Sequence, residues 1–359
     1  MTKLKVGILY GGRSVEHGVS INSARNIEQY INKDIFEPHC IGISTKGVWF
    51  STDGVHKDIE RGSQLRLHMD GTNHQFEDGA GNKFTLDIAF PVLHGTDGED
   101  GSIQGLLKAM DIPMVGTGVL GSAVSMSKLV AKQLMEQAGI PVTKFVYFRH
   151  EQKNDINFDE IKNKVGLPCM VKAANLGSSV GVSKVKSESE FKAAIEDSFR
   201  YDDCVLVEEY VKGREIECAI LGNNPPEASL PGEIVISAKY DFYTFDAKYV
   251  DGDAVRIDVP AKLDKAASDL IRDLSIKAYQ QLQCEDFARV DLFLSDSGQV
   301  FVNEINTIPG FTNSSMYPMM WKERGITFTN LISKLIELGF ERHRGSKRIQ
   351  KEYQSSLKF

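Results

Sequence analysis

The 359-residue sequence lacks the usual marks of secreted, membrane-spanning and zinc-stabilised proteins. Its five cysteines are odd in number and scattered, with no Cys-x-x-Cys pair, so we expect reduced thiols and no structural zinc site. No apolar run approaches the roughly 20 residues of a membrane span, and the first residues run directly into a strand without a signal peptide. We therefore expect a cytoplasmic protein that does not bind membranes.

An excess of basic residues is also missing, because 42 Lys and Arg face 49 Asp and Glu. The net charge of -7 and the pI near 5.7 argue against nucleic acid or an anionic membrane as the main partner. Internal repeats are absent as well. The composition is otherwise ordinary for a globular protein, and the length allows two or three domains with a sizeable core. These features favour an enzyme.

Two short segments near the C-terminus, residues 287–293 and 300–306, alternate between apolar and polar side chains. This period of two predicts a pair of β-strands. The Ser-Asp-Ser-Gly sequence at 295–298 has the composition of a turn, so the two strands are predicted to form a hairpin.

A turn centred on residues 297 and 298 would place Asp291 opposite Glu304, and Arg289 opposite Asn306, on one face of the hairpin. Two directly opposed carboxylates repel each other, whereas carboxylate and amide oxygens together suit Mg²⁺. The face is therefore either a metal site or a solvated surface, and the second is commoner for two acids on a hairpin alone. The Gly- and hydroxyl-rich segment at 307–315 favours a site.

The N-terminal part of the sequence predicts the opening of a doubly wound α/β domain. Residues 3–10 form a strand that ends at two glycines, and a helix begins near Ser20. No Gly-x-Gly-x-x-Gly motif follows this strand, which disfavours a dinucleotide site. Two Gly-rich polar loops, 11–20 and 94–101, follow predicted strands at the edge where open α/β sheets bind ligands.

These two loops contain three candidate binding or acid–base residues, Glu16, His17 and His94. A histidine titrates near neutral pH and could act as a general base. A hydrogen-bonded structural role is at least as common for a loop histidine, and Glu16 has the same ambiguity. The residues alone leave both interpretations open.

A second group of motifs indicates nucleotide binding. Residues 168–172 form a buried strand, and the Gly- and Ser-rich segment 177–181 after it offers backbone donors and hydroxyls to phosphates. This segment is not a Gly-x-x-x-x-Gly-Lys-Ser/Thr phosphate loop, and a plain hairpin turn explains it equally well. Residues 208–211 could form an adenine-binding hinge with Glu215 near the ribose, although a solvated strand end is the commoner explanation for each residue alone.

Taken together, six segments in order resemble the D-alanine–D-alanine ligases of the ATP-grasp superfamily over nearly the whole chain. These segments are 11–20, 94–101, Lys172 with 177–181, 242–249, 288–291 and 303–310. The resemblance implies an α/β, three-domain ATP-grasp ligase. The implied domains are a doubly wound N-terminal substrate domain at 1–125, a central ATP-grasp domain with the phosphate lid at 126–211, and a C-terminal ATP-grasp domain with the metal hairpin and a long substrate loop at 212–359.

The resemblance also implies how ATP and metal would be bound. The implied ATP-binding residues are Lys128, Lys172, Ser179, Glu208, Glu209, Val211, Glu215, Phe242, Asn303 and Glu304. The implied ligands of two Mg²⁺ (or Mn²⁺) ions are Asp291, Glu304 and Asn306. A monovalent cation such as K⁺ is compatible with the family.

For the amino acid substrates, Glu16 would bind the ammonium of the first D-alanine. The implied catalytic residues are Glu16, Ser178, Tyr249, Arg289 and Gly310. The implied substrate-binding residues are Glu16, His94, Lys248, Tyr249, Arg289, Gly310 and Ser315. Among these, Glu16, Ser178 and Tyr249 would form a hydrogen-bonded set, and Arg289 with the Gly310 N–H would form the oxyanion site. Ser315 would hold the carboxylate of the second substrate.

The implied reaction is ligation of two D-alanines through an acyl phosphate, with release of ADP and phosphate, for peptidoglycan precursor synthesis by a homodimer. Ala173 departs from the proline that the family often has there, and residues 175–176 match only some branches. Three alternatives remain: a D-alanine–D-lactate or other D-Ala–X ligase, a different ATP-grasp ligase, and a non-catalytic nucleotide-binding protein. Tyr249 favours the dipeptide over the D-lactate ester.

Overall fold

A computed structural model describes residues 2–69, 74–178, 180–237 and 255–350 of the chain. Its helices are α1 (His17–Tyr30), α2 (Ser102–Ala109), α3 (Val119–Met126), α4 (Lys128–Gln137), α5 (Phe158–Val165), α6 (Glu188–Ser198), α7 (Lys265–Gln281), α8 (Met316–Glu323) and α9 (Phe328–Ser346). Its strands are β1 (Leu4–Gly11), β2 (Phe36–Ile43), β3 (Trp49–Thr52), β4 (Ser63–Gln64), β5 (Arg66–His68), β6 (Gln75–Glu77), β7 (Lys83–Phe84), β8 (Ile88–Pro91), β9 (Phe145–Arg149), β10 (Cys169–Ala173), β11 (Val182–Val185), β12 (Cys204–Glu209), β13 (Gly213–Leu221), β14 (Glu227–Ala228), β15 (Gly232–Ile236), β16 (Val255–Asp258), β17 (Phe287–Ser295) and β18 (Val300–Asn306). None of the helices within the described ranges is long and apolar enough to span a membrane.

The first sheet has the order β4-β3-β2-β1-β8, with β1 parallel to both β2 and β8. Both faces of β1 are covered, which explains its nearly continuous apolar sequence. The loops 11–20 and 94–101 follow the neighbouring strands β1 and β8, so they leave the same edge of the sheet. This arrangement brings together two loops that are far apart in sequence, as predicted for a doubly wound domain.

The second sheet is antiparallel, with the order β11-β10-β12-β9. Helices α5 and α6 pack on one face of it, around Phe191 and Val207. The Ser187 hydroxyl caps α6 by accepting a hydrogen bond from the Glu190 N–H. Strands β10 and β11, which precede and follow the Gly- and Ser-rich segment, pair antiparallel as a hairpin.

The third sheet has the order β16-β15-β13-β17-β18, with β14 beside β13. The predicted hairpin is present as β17 and β18, in the predicted register: Asp291 faces Glu304 and Arg289 faces Asn306. The register shifts between Asp291 and Leu292, and such a bulge re-aims neighbouring side chains. Strand β13 pairs with the other edge of β17 and places Glu217 beside Asp291.

Helix α9 connects the first and third sheets, which share one apolar core. The Arg342 guanidinium donates hydrogen bonds to the carbonyls of Met114 at 2.8 Å and Gly116 at 2.6 Å, and to Asp286 Oδ2 at 3.1 Å. Asp286 is fully buried and also accepts a hydrogen bond from the Gly116 N–H at 2.9 Å. These contacts join the segment around Met114 and Gly116 to α9 and to Asp286, just before β17.

Candidate active site

A cavity of about 390 Å³ lies between the second and third sheets. It is bounded by β10, the end of β12, the start of β13 and the β17–β18 hairpin. The predicted site residues that line it are Lys128, Lys172, Ser178, Glu208, Glu209, Val211, Glu215, Asp291, Asn303 and Glu304. The fold therefore brings the predicted lid, hinge and hairpin to one cavity.

Two ammonium groups share one buried carboxylate behind the lid strand, and we call Lys132, Lys172 and Glu208 the cationic cluster. Lys172 Nζ donates to Glu208 Oε2 at 3.0 Å, and Lys132 Nζ lies 3.5 Å from Glu208 Oε1. Burial by itself would raise the pKa of Glu208, but the two lysines outweigh it and the pKa is lowered. Burial lowers the pKa of Lys132, and the charge of Glu208 opposes that shift. With both lysines protonated, the cluster carries one net positive charge beside the cavity.

A third ammonium group connects the lid to the hairpin. Lys128 Nζ lies 3.2 Å from Glu304 Oε2 and donates to the Leu176 carbonyl at 2.7 Å. Lys172 Nζ also donates to Asn303 Oδ1 at 3.2 Å. Both lysines thus lie where an anionic ligand in the cavity would meet them.

The polar face of the hairpin is organised around Arg289. Its guanidinium donates two hydrogen bonds to Asp291, from Nε at 2.7 Å and from Nη2 at 2.8 Å, and Nε is 3.0 Å from Glu217 Oε2. Asn306 Nδ2 donates to Asp291 Oδ2 at 3.0 Å. Of the two opposed carboxylates that prompted the metal hypothesis, Asp291 is therefore compensated by Arg289 and Glu304 by Lys128. Glu217 is a third acid on this face that the sequence analysis did not select.

The hairpin side chains fit the chemistry of a hard cation. Across the described part of the chain, no three His, Cys, Asp or Glu side chains are grouped to hold a metal ion. The predicted set is different, because it combines the carboxylates of Asp291 and Glu304 with the amide of Asn306 on neighbouring positions of paired strands. Such oxygen donors suit Mg²⁺, which commonly uses few protein ligands together with substrate phosphates.

Glu16 and Ser178 meet although they belong to different parts of the fold. The Ser178 hydroxyl donates a hydrogen bond to Glu16 Oε1 across 162 sequence positions. Gly95 leaves room for this carboxylate, because a Cβ there would lie 2.7 Å from Glu16 Oε2. His17 has the structural role that the sequence left open, since its Nδ1 lies 2.8 Å from the Gly12 carbonyl oxygen.

A second set of titratable groups, which we call the acidic cluster, comprises Glu16, Glu99 and His94. Burial and the nearby charge of Glu16 raise the pKa of Glu99 to about 8. Burial lowers the pKa of His94, an effect that Glu16 partly opposes. His94 is therefore favoured as a neutral imidazole, and Glu99 as a protonated acid near neutral pH.

The acidic cluster holds the loop that follows the hairpin. The Ile308 N–H donates to Glu99 Oε1 at 3.1 Å, and the Phe311 N–H donates to Ser23 Oγ at 3.2 Å. Ser23 Oγ also lies 3.0 Å from His94 Nε2. These bonds place the predicted residue Gly310 close to the N-terminal loops.

Ser315 lies just before α8, at the end of the same loop. Its hydroxyl accepts a hydrogen bond from the Thr312 N–H at 3.0 Å, and a Cβ at Gly310 would lie 3.1 Å from it. Backbone N–H groups at the start of a helix favour a carboxylate. The position suits the predicted contact with an amino acid carboxylate.

Four predicted site residues, Ser179, Phe242, Lys248 and Tyr249, lie outside the described residues, and their roles stay predictions. Sequence reasoning did not select Lys132, Glu217 and Glu99. Two of these had a usable signal: Lys132 lies one helical turn after Lys128, and Glu217 follows Glu215 on the same face of β13. No signal in the sequence indicates the burial of Glu99, because its partner Ile308 lies far away in the chain.

An N-terminal mixed sheet with parallel β2, β1 and β8 is followed by two antiparallel sheets that enclose a cavity of lysines and carboxylates. This arrangement defines a ligase of the ATP-grasp fold. The family model described as the D-ala D-ala ligase N-terminus matches residues 5–117, and the model for the D-ala D-ala ligase C-terminus matches residues 134–337. The chain therefore belongs to the D-alanine–D-alanine ligase family. The predicted family, fold and enzyme class are confirmed.

Curated relatives are similar in sequence to this chain over almost its full length. The chain is 44% identical to the D-alanine–D-alanine ligase of Oceanobacillus iheyensis, covering 97% of this chain and 98% of the relative. It is also 44% identical to D-alanine–D-alanine ligase A of Escherichia coli, covering 96% and 97%.

Solved structures show the same likeness. The D-alanine–D-alanine ligase from Coxiella burnetii is 35% identical with a TM-score of 0.87, covering 97% of both chains. The VanG D-Ala:D-Ser ligase from Enterococcus faecalis is 34% identical with a TM-score of 0.85, covering 94% of this chain and 100% of that one. Both the fold and the family therefore extend across the chain.

Proposed function

We propose that the protein joins two D-alanine molecules into D-alanyl-D-alanine, with conversion of ATP to ADP and phosphate, to supply a precursor of peptidoglycan. The observation that carries the proposal is the distribution of charge around the site. Lys128 and Lys172 face the cavity, where phosphates would bind, whereas Glu16 meets the lid residue Ser178 where an amino acid ammonium would bind. A phosphate donor and an amino acid can thus be held side by side.

In the first step, a carboxylate oxygen of one D-alanine attacks the γ-phosphorus of ATP, and the bond to the ADP oxygen breaks. Phosphoryl transfer depends on positioning and on neutralisation of charge. Lys128 and Lys172 hold the phosphates, with Ser179 from the lid. Two Mg²⁺ or Mn²⁺ ions, held by Asp291, Glu304 and Asn306, supply further charge neutralisation when bound.

In the second step, the amine of the other D-alanine attacks the carbonyl carbon of the acyl phosphate, and phosphate leaves. The developing oxyanion needs donors that are already in place. Arg289 is held in place by Asp291 and Glu217, and it acts with the Gly310 N–H. Ser315 binds the carboxylate of the attacking D-alanine, and Lys248 and His94 complete the substrate site.

The nucleotide is positioned by the segment between the second and third sheets. Glu208, Glu209 and Val211 contact adenine, Glu215 contacts the ribose, and Phe242 packs near the base. In support, Glu208, Glu209, Val211 and Glu215 line the cavity. Water is excluded from the acyl phosphate when the lid and the residues around Tyr249 close over the site.

The enzyme acts in the cytoplasm as a homodimer, with domains at 1–125, 126–211 and 212–359. A monovalent cation such as K⁺ supports activity. Size-exclusion chromatography with light scattering tests the dimer, and assays with K⁺ replaced by Li⁺ test the cation.

Incubation with ATP, Mg²⁺ and D-alanine, followed by mass detection of the product, tests the main reaction. We expect D-alanyl-D-alanine and equimolar ADP, and no turnover after EDTA treatment until Mg²⁺ is restored. ATP hydrolysis without dipeptide would contradict the proposal.

A second candidate function is ligation of D-alanine to another D-substrate, which is favoured by the 34% identity to a D-Ala:D-Ser ligase. Competition of D-alanine with D-serine and with D-lactate over a range of pH separates these reactions by product mass. We expect the dipeptide D-alanyl-D-alanine to dominate, with Tyr249→Phe increasing the share of the D-lactate ester.

A further inference from the structure

The ammonium group of Lys132 is buried behind the nucleotide cavity. Its side chain is 1% exposed, as is that of Glu208. Nζ donates to Thr143 Oγ1 at 2.8 Å and lies 3.5 Å from Glu208 Oε1. Burying an ammonium is strongly unfavourable unless it is paired and hydrogen-bonded. The carboxylate of Glu208 already has Lys172 as a partner. Burying a second lysine beside it therefore indicates a role beyond the packing of α4.

The charges of the cationic cluster suggest that role. Glu208 gives one oxygen to each lysine: Oε2 accepts from Lys172 at 3.0 Å, and Oε1 faces Lys132. Thr143 donates to Glu208 Oε2 at 3.2 Å, which helps to fix the carboxylate. Without Lys132, Glu208 and Lys172 would form a neutral pair, and a phosphate in the cavity would meet little net positive charge.

We propose that Lys132 is a positioning residue for the nucleotide, because its charge compensates Glu208 and leaves the charge of Lys172 available to the ATP phosphates. This inference rests on the proposed function, in which Lys172 contacts those phosphates. Lys132 itself touches Glu208 and Thr143 and acts through them. At an effective dielectric constant of about 20, removing a unit charge from the surroundings of a bound phosphate weakens binding by at least about tenfold.

The first test is Lys132→Met, which retains most of the side-chain volume and removes the charge. We expect the dissociation constant of ATP, measured by calorimetry without D-alanine, to rise by at least about tenfold. The binding of ADP should be weakened less than that of ATP, and the binding of adenosine should be unchanged, because the effect follows the number of phosphate charges. The Michaelis constant of D-alanine should stay within about twofold of the wild-type value.

A merely structural role predicts a different pattern. Distortion of the hinge would weaken the binding of adenosine and of ATP by the same factor, and that result would overturn the inference. Thr143→Val is the matched control, because it removes two hydrogen bonds of the cluster and keeps its charges. ATP affinity in Thr143→Val should remain within about threefold of the wild-type value.

A double variant keeps the inference testable even if Lys132→Met folds poorly. In Lys132→Met with Glu208→Gln, Lys172 is the only charged group of the cluster, so its positive charge is restored. We expect ATP to bind more tightly to the double variant than to Lys132→Met. Two independent structural defects would instead add their losses. Because Glu208 is also a proposed adenine contact, the affinity for ATP is divided by that for adenosine in each variant. A lower ratio in the double variant than in Lys132→Met would overturn the charge argument.

The outcome is separable from that of the proposed function. Wild-type protein that binds ATP and yields no dipeptide would contradict the ligase reaction, while the nucleotide series would still decide the role of Lys132. Dipeptide synthesis by the wild-type protein, together with unchanged ATP affinity in Lys132→Met, would leave the function intact and overturn the inference.

Discussion

The cationic cluster and the acidic cluster are built in opposite ways from similar groups. In the first, two ammonium groups share Glu208, and the pKa of this carboxylate is lowered. In the second, two carboxylates lie near His94, and the pKa of Glu99 is raised to about 8. The contrast shows that one fold builds two environments of opposite charge preference, which suit the proposed sites for phosphate and for an amino acid ammonium.

Arg289 connects the two clusters. It lies on the hairpin that lines the cavity. Burial is the main cause of the pKa shifts of His94 and Glu99; the charge of Arg289 adds to the lowering at His94 and opposes the rise at Glu99. Its direct partners are Asp291 and Glu217. Arg289 therefore lies between the cavity and the acidic cluster, as its proposed role in the second reaction step requires.

The largest effect is expected from Arg289→Ala, which removes the cation between the clusters. We expect kcat for dipeptide synthesis to fall by about 10²- to 10³-fold, since a lost oxyanion donor typically has this effect. ATP should still bind, because Lys128 and Lys172 remain. Steady-state kinetics and calorimetry with ATP measure the two quantities.

Arg289→Lys is the matched variant for this experiment, because it keeps the charge and loses the planar pair of hydrogen bonds to Asp291. We expect Arg289→Lys to keep part of the interaction with Asp291 and to recover little of kcat. Substantial turnover in Arg289→Ala would contradict the oxyanion assignment.

The second prediction changes the acidic cluster through Glu99→Gln. The raised pKa means that folded protein retains a proton which unfolded protein loses above the ordinary value of 4.5. Wild-type stability relative to the variant is therefore highest below pH 4.5 and falls as the pH rises to about 8. The loss over this window should be about 5 kcal/mol, measured by urea unfolding of both proteins at several pH values.

Glutamine imitates the protonated acid and does not titrate, so the Glu99→Gln variant is the pH-independent reference for the wild-type protein. Above pH 8 the difference between the two proteins should become constant, because Glu99 is then ionised in both the folded and the unfolded states. A difference that is independent of pH between 4.5 and 8 would show that Glu99 is ionised in the folded protein at neutral pH.

The register of the hairpin could be predicted because it depends on local chemistry. A period of two and a Ser-Gly turn fix which residues face each other, and the pairs of Asp291 with Glu304 and Arg289 with Asn306 are the predicted ones. The Gly-rich loops could be placed for the same reason, since parallel strands bring their carboxyl ends to one edge.

The partners of these residues could not be predicted, because they come from distant parts of the chain. Glu217 reaches Arg289 only because β13 pairs with β17. Glu99 is covered by Ile308, which follows it by 209 positions. Lys132 has the sequence character of a solvated helix residue, and only the packing of α4 against Thr143 and Glu208 shows that it is buried.

The smallest effect is expected from Ser178→Ala, which separates the lid from the acidic cluster. The Ser178 hydroxyl donates to Glu16, so its removal leaves that carboxylate with one fewer donor. We expect kcat/KM for D-alanine to fall about tenfold, the size of one lost hydrogen bond to a charged group, with unfolding unchanged because the lid adds little to the core. Ser178→Thr keeps the hydroxyl and should restore much of the rate. An equal loss in kcat/KM for ATP would mean that Ser178 serves the phosphates rather than Glu16, and the two clusters would then not be joined through the lid.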